Sequence, residues 1–359
     1  MRLLHRRIRS DVGDQAAGDG PGSEGDAPAV QQVDYVDPAM SRVTVGEWSA
    51  RWLAGQGHLK PSTRARYAGI LRVQVLPNWE TVRLSEVTHA DVVTWVSLLR
   101  RSGLAPATIR QAHRVLSLIL SLAVRDGRIA RNPADKVPLP PAAKPDKRFL
   151  SHGEVAALAI AAGEYHLVVR VLAYCGLRFG ELAALRVRRV DLMRRRIEVA
   201  ESVTEVAGRA VWGTPKSHAA RSVPVLRSLV DALAEHIAGK GPDDFVFVAP
   251  KGGALLLRNF RRAVFDKATL AAGLEGVTPH DLHHTAASLA VSAGANVKAV
   301  QRLLGHASAA MTLDVYSGLF DDDLDAVAER LDEGSIRAAA DSLRTKAPVV
   351  DIHEGRISL

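Results

Sequence analysis

Pro279-His-Asp-Leu-His-His-Thr-Ala-Ala-Ser-Leu289 and Leu304-Gly-His-Ala-Ser-Ala-Ala-Met-Thr-Leu-Asp-Val-Tyr316 decide how this chain is read. Pro279 stands where helix starts favour proline, so His280 falls in a first helical turn. His280 and His284 lie one turn apart. Histidine exchanges protons near neutral pH, which suits acid or base chemistry. The same spacing suits a shared metal ion, but no glutamate stands between them and no further ligand cluster is evident. His306 follows Leu303-Leu-Gly305, a helix end where a lone histidine is often only a cap. Tyr316 alone reads as a core residue with a bonded hydroxyl.

Two cations stand upstream. Arg178 lies in Tyr174-Cys-Gly-Leu-Arg-Phe-Gly-Glu-Leu182. A guanidinium is a permanently charged planar fork that matches two phosphate oxygens. Glu181 reads as structural, pairing a basic neighbour. Lys216 lies in Gly213-Thr-Pro-Lys-Ser-His-Ala-Ala-Arg221, between two strand-like runs. There it is a solvated loop lysine or, with a lowered pKa, a proton donor to a leaving oxygen.

The flanking sequence divides into segments. Residues 1–42 carry Gly18-Asp-Gly-Pro-Gly-Ser-Glu-Gly-Asp26 and no hydrophobic periodicity, the pattern of a disordered segment. Residues 43–134 repeat apolar positions at helical spacing in four stretches, the pattern of a small bundle. Val137-Pro-Leu-Pro-Pro-Ala-Ala-Lys-Pro145 is a semi-rigid tether, giving a linker over 135–147. Ser151-His-Gly-Glu154 forms a capping box and opens a second domain over 148–333. Strands are expected between Val190 and Val225, with a turn at Ala207-Gly208 and one further short strand at Phe245-Val-Phe247. Helical patterns run on to about Leu331, and 334–359 form a tail. The fold class is mainly α with a small antiparallel β-sheet.

The chain has 359 residues, enough for two cores, and no apolar run near the ~18 residues of a membrane helix. It has a single cysteine, Cys175, so no disulfide forms within the chain and a reducing cytosol fits. The net charge of +8 favours a polyanionic partner such as nucleic acid. A GC-rich genome also inflates arginine, so charge alone decides little.

Each signal is modest alone, but the order Arg178, Lys216, His280, Leu304-Gly-His306, Tyr316 resembles the active site of the tyrosine recombinases, the phage integrase family. The helical bundle resembles that family's core-binding (SAM-like) domain. The likeness runs from about Val43 to Leu331. It implies a C-shaped clamp on double-stranded DNA and a homotetramer on two synapsed sites. It also implies a 3′-phosphotyrosyl intermediate that needs neither cofactor nor metal. Tyr316 would be the nucleophile and Arg178 the phosphate clamp. Lys216 would protonate the leaving 5′ oxygen, His280 act as acid or base, and His306 bond the phosphate. An excision factor or DNA-bending protein is a further partner the family implies, in a cytoplasmic, nucleoid-associated setting.

Two departures qualify the resemblance. His283 stands where the family carries its second arginine. Losing one positioned donor at a transition state costs roughly 3–4 kcal/mol, so a strongly impaired recombinase is expected. The segment before Val43 is too short and polar for the arm-binding domain with which many relatives begin. The main alternative is a weak or inactive DNA-binding relative that occupies attachment sites. A metal-dependent hydrolase built on the histidine cluster is a third reading.

Overall fold

The computed structural model describes residues 42–141, 147–215, 220–316 and 323–345. Helix α1 (Val45–Ala54) starts at Thr44, whose hydroxyl accepts from the Glu47 N–H while Glu47 reaches back to the Thr44 N–H. This reciprocal cap satisfies two donors that a helix start leaves open. Helix α2 (Pro61–Ile70) continues through a π-turn at Leu71–Val75 into α3 (Leu76–Trp79). Pro77 lacks an N–H and would clash with the carbonyl four residues back in a regular helix. The wide turn just before it accommodates that defect without breaking the rod. Helices α4 (His89–Arg101) and α5 (Pro106–Arg125) complete the bundle. Trp48, Trp52, Trp79 and Trp95 pack among Val115, Leu116 and Ile119 in one core. The Trp48 indole N–H donates to the Ile119 carbonyl at 3.1 Å.

The expected tether begins as packed chain. Val137 is buried in this first core, and Arg110 donates to the Pro140 carbonyl at 3.0 Å.

A second core gathers helices α6 (His152–Ala161), α7 (His166–Cys175) and α8 (Phe179–Ala183) with the strands. Strands β1 (Val190–Asp191), β2 (Arg196–Val199) and β5 (Arg221–Pro224) form one antiparallel sheet in the order β1-β2-β5. Strands β3 (Ser202–Val206) and β4 (Arg209–Gly213) form a separate hairpin. Its turn falls at Ala207-Gly208, both at positive φ, as a tight turn there requires. The small sheet of the sequence is thus two small sheets. The strand expected at Phe245–Phe247 is reduced to an isolated bridge between Phe245 and Arg186.

Helices α9 (Arg227–Ile237), α10 (Leu257–Phe260) and α11 (Asp266–Ala271) cover this core. Helix α12 (Pro279–Ser292) packs along α7, and α13 (Val297–Leu304) and α14 (Ala309–Tyr316) follow it. Helix α15 (Asp323–Thr345) runs past Leu331, so the first part of the expected tail is helical. Leu331 and Ile336 are exposed on it. Ala and Glu supply the helix propensity where the hydrophobic pattern fades.

Helix α2 packs against β3, which joins the two halves of the chain. A groove of about 1350 Å³ lies at this junction, with Lys60 on one side and Arg178, Arg258, Arg262 and His280 on the other.

Candidate active site

The site is assembled around the turn that ends α7. Gly176 has φ +65°, the left-handed conformation a helix C-cap favours. A Cβ there would stand 3.1 Å from Leu303 and 3.3 Å from Leu304, so the packing of α13 also requires glycine. The reversed chain then starts α8 at Arg178. Its backbone N–H donates to Glu181 Oε2 at 2.9 Å and its Nη1 to Oε1 at 3.2 Å. Gly180 lets α8 approach β3, where a Cβ would fall 2.5 Å from the Val203 carbonyl oxygen.

Glu181 is 2% exposed. Its main partner comes from forty residues away in sequence. Arg221, the first residue of β5, donates Nη2 to Glu181 Oε2 at 2.6 Å and Nη1 to Oε1 at 2.9 Å. Arg221 Nε donates to the Leu303 carbonyl at 3.1 Å, and Nη2 also reaches the Gly176 carbonyl at 3.4 Å. Burial alone would raise the Glu181 carboxyl. The hydrogen bonds and charge of Arg221, with the Arg178 N–H and guanidinium, hold it below its ordinary value.

The other wall is histidine. Thr278 and Asp281 cap α12, with Thr278 N–H to Asp281 Oδ2 at 2.8 Å. His280 is exposed in the first turn and lines the groove. Its ring lies edge-on to His284 at 4.6 Å and stacks on His283 at 5.7 Å. His283 is 1% exposed, and its Nδ1 lies 2.8 Å from the Gly176 carbonyl oxygen. A carbonyl only accepts, so Nδ1 carries the proton. Burial first, then the charges of Arg178 and His280, push the His283 pKa well down. The neutral ring therefore bears a lone pair, not an N–H, at Nε2.

His306 follows Gly305, the left-handed cap of α13, and its Nδ1 is 3.0 Å from Thr312 Oγ1. Its ring stacks on Tyr316 at 6.4 Å. Burial, then Arg178 and Arg221, bring its pKa down to about 4. Tyr316 ends α14 and is 1% exposed. Its hydroxyl lies 2.6 Å from His284 Nδ1. Burial raises the phenol pKa, against the opposing charge of Arg178. His284 in turn has its pKa brought down to about 4 by burial and by His280 and Lys147. Lys147 also sits 5.9 Å over the Tyr316 ring.

Arg178, His280, His283, His306 and Tyr316 thus belong to one cluster. Lys216 lies outside the described residues. Arg221 and His284 are members that sequence reasoning did not assign. Arg221 carried no signal beyond its place at a strand start. His284 was visible only as one of a histidine pair. Among the described residues, no group of three or more His, Cys, Asp or Glu side chains is arranged to hold a metal ion, and no helix is long and apolar enough to cross a membrane.

Residues 148–322 match the phage integrase family. The chain is 28% identical over 284 residues to the integrase of Mycobacterium phage L5, covering 77% of this chain and 75% of that protein. It is 27% identical over 246 residues to the tyrosine recombinase XerC of Corynebacterium efficiens, covering 65% and 74%. In fold it is similar to the Tn1549 transposon integrase solved with a circular intermediate DNA. That match has a TM-score of 0.69 and 23% identity, over 80% of this chain and 99% of the other. The class is that of the tyrosine recombinases. Within it, residues 148–322 form a phage integrase family domain.

Proposed function

We propose that this chain is a site-specific DNA recombinase of a phage or mobile element, working through Tyr316 and slowed by His283. The carrying observation is a continuous chain of contacts. His280 opens onto the basic groove, its ring meets His284, and His284 holds the Tyr316 hydroxyl. Arg178 lines the same groove. The groove's cations suit a DNA backbone.

On this reading the Tyr316 oxygen attacks a scissile phosphodiester, and the 5′ oxygen leaves with a proton from Lys216. The 3′-phosphotyrosyl bond conserves the energy of the broken bond until another 5′-hydroxyl reverses the step. Arg178 clamps non-bridging oxygens, His306 offers Nε2 to the phosphate, and His280 exchanges protons at the groove. Core binding falls to the bundle over 43–134, and the two halves close on duplex DNA. Four protomers hold two sites in the cytosol, with an excision factor or DNA-bending protein controlling direction.

The impairment follows from His283. Where the family has a permanent cationic fork, the neutral ring turns a lone pair toward any ligand at Nε2. A lone pair does not stabilise a phosphate oxygen. This same observation favours the second reading, a DNA-binding relative that holds attachment sites without cutting them.

The test traps covalent adducts on nicked duplex DNA from the element's own boundary. The chain should form a slow, protease-sensitive adduct that Tyr316→Phe abolishes. His283→Arg should speed its formation about 10²–10³-fold. Adduct formed only by His283→Arg would support the non-cutting reading. No gain from that substitution, in a variant that binds DNA, would remove His283 as the cause of impairment.

A further inference from the structure

We infer that His284 is the proton acceptor for Tyr316: the imidazole that takes the phenol proton as the tyrosine attacks. The inference rests on Tyr316 being the nucleophile. It begins with a contact that packing alone does not require. Tyr316 is 1% exposed, and its Oη lies 2.6 Å from His284 Nδ1, a short bond for an oxygen and a nitrogen. The rings stand 5.7 Å apart at 57°, so the contact is edge to edge and not a stack. His284 is held in place by helix α12, whose neighbouring residues Leu282, His283 and Thr285 are all buried.

Two neighbouring histidines bond elsewhere through Nδ1. His283 Nδ1 is bonded to the Gly176 carbonyl and His306 Nδ1 to Thr312. The His306 ring lies nearly parallel to that of Tyr316, with centroids 6.4 Å apart. His284 meets the reacting hydroxyl with a ring nitrogen. Its surroundings keep the ring neutral before DNA arrives. His280 and His283 lie beside it on α12, Lys147 and His306 face it from neighbouring segments, and Asp281 alone opposes them. A neutral imidazole whose Nδ1 accepts from the phenol carries its own proton on Nε2.

The step balances without a co-reactant. As the Tyr316 oxygen bonds to phosphorus, its proton passes to His284 Nδ1 and the imidazole becomes imidazolium. The bond from phosphorus to the 5′ oxygen breaks, and that oxygen takes a proton from Lys216. In the reverse step the incoming 5′-hydroxyl returns a proton to Lys216, and His284 returns its proton to the departing tyrosine. The anionic scissile phosphate favours the imidazolium, so bound DNA makes His284 a stronger base than it is in the free protein.

The experiment measures single-turnover adduct formation by the full chain on nicked duplex DNA from the element's boundary, between pH 4.5 and 8. The parent, His284→Gln and His284→Ala are compared, each also with His283→Arg so that slow chemistry does not mask the difference. A second substrate carries sulfur in place of the bridging 5′ oxygen, a leaving group that needs no proton. Both His284 variants should bind the duplex like their parents in gel shift and lose about 100-fold in adduct rate. The loss should persist on the sulfur substrate. The parent rate should rise with pH to a plateau as the base deprotonates, and His284→Gln should lose that rise. His284→Gln tests the role where His284→Ala fails to fold, and the parent's own profile needs no variant.

His284→Gln within threefold of its parent, with the same pH profile, overturns the inference and leaves Tyr316 as nucleophile. A loss repaired by the sulfur substrate also overturns it, because His284 would then serve the leaving group. Adduct from none of the proteins overturns the reading of Tyr316 itself, and the inference with it.

Discussion

The two walls of the site are built from opposite kinds of charge. One is the Arg178–Glu181–Arg221 corner, where permanent cations and a depressed carboxyl stay ionised through the neutral range. The other is the wall of His283, His284 and His306, whose pKa values all fall below that of free imidazole. The first wall holds its geometry at any working pH. The second is neutral by virtue of its burial and becomes charged only against resistance.

The contrast is broken most severely at Arg221. Arg221→Ala leaves Glu181, 2% exposed, with only Arg178 beside it. Breaking one side of a buried pair costs about 3–5 kcal/mol. Urea denaturation at pH 7.5 should register that loss, whereas Arg221→Lys should recover part of it through a single bond to the carboxylate. Equal stability of Arg221→Ala and the parent would show the corner to be dispensable.

Acidification sharpens the comparison. The unfolded state takes up protons on free histidines near pH 6.5, whereas His284 and His306 in the fold resist until about 4. The unfolded chain thus binds more protons over that window, and stability falls as pH falls from 6.5 toward 4. Glu181 acts in the same sense at lower pH. Its folded value is depressed, so its contribution is present above the unfolded carboxylate value and is lost as pH drops through the folded one. Denaturation midpoints between pH 7.5 and 4.5 should decline, and His306→Gln should flatten part of that decline. A midpoint constant over the range would contradict the assignment of the three rings as neutral.

The smallest effect is expected at the turn between the walls. Gly176→Ala sets a side chain at φ +65° and 3.1 Å from Leu303. Strain of this kind costs roughly 1–3 kcal/mol. Calorimetry should show a lower Tm, and a nearby control such as Gly153→Ala, where a Cβ meets only Ser151 Oγ at 4.0 Å, should not.

The sequence made the large elements readable because their signals are local. The cap at Ser151, the proline at the start of α12 and the apolar stripes of α4 and α5 all lie within a few residues of the structure they dictate. Arg178 and Tyr316 were legible through order along the chain. Arg221 was not, because its meaning lies in a carboxylate forty residues away and a carbonyl at Leu303. His284 was read as half of a spacing, since nothing in the sequence says that α14 returns a hydroxyl to it. The strand expected at Phe245 fails because its neighbour Arg186 supplies one bridge and no ladder. The helix beyond Leu331 was missed because it is polar on average and its apolar residues Leu331 and Ile336 stay exposed, so no buried stripe marks it.

The Gly176 carbonyl oxygen has one consequence for how such a site changes over generations. Two segments donate to it, His283 from α12 and Arg221 from β5. An exchange at either position alters the hydrogen bond available to the other, so their effects are not additive. A double-substitution cycle at 283 and 221 should therefore show a coupling energy of about 0.5–3 kcal/mol.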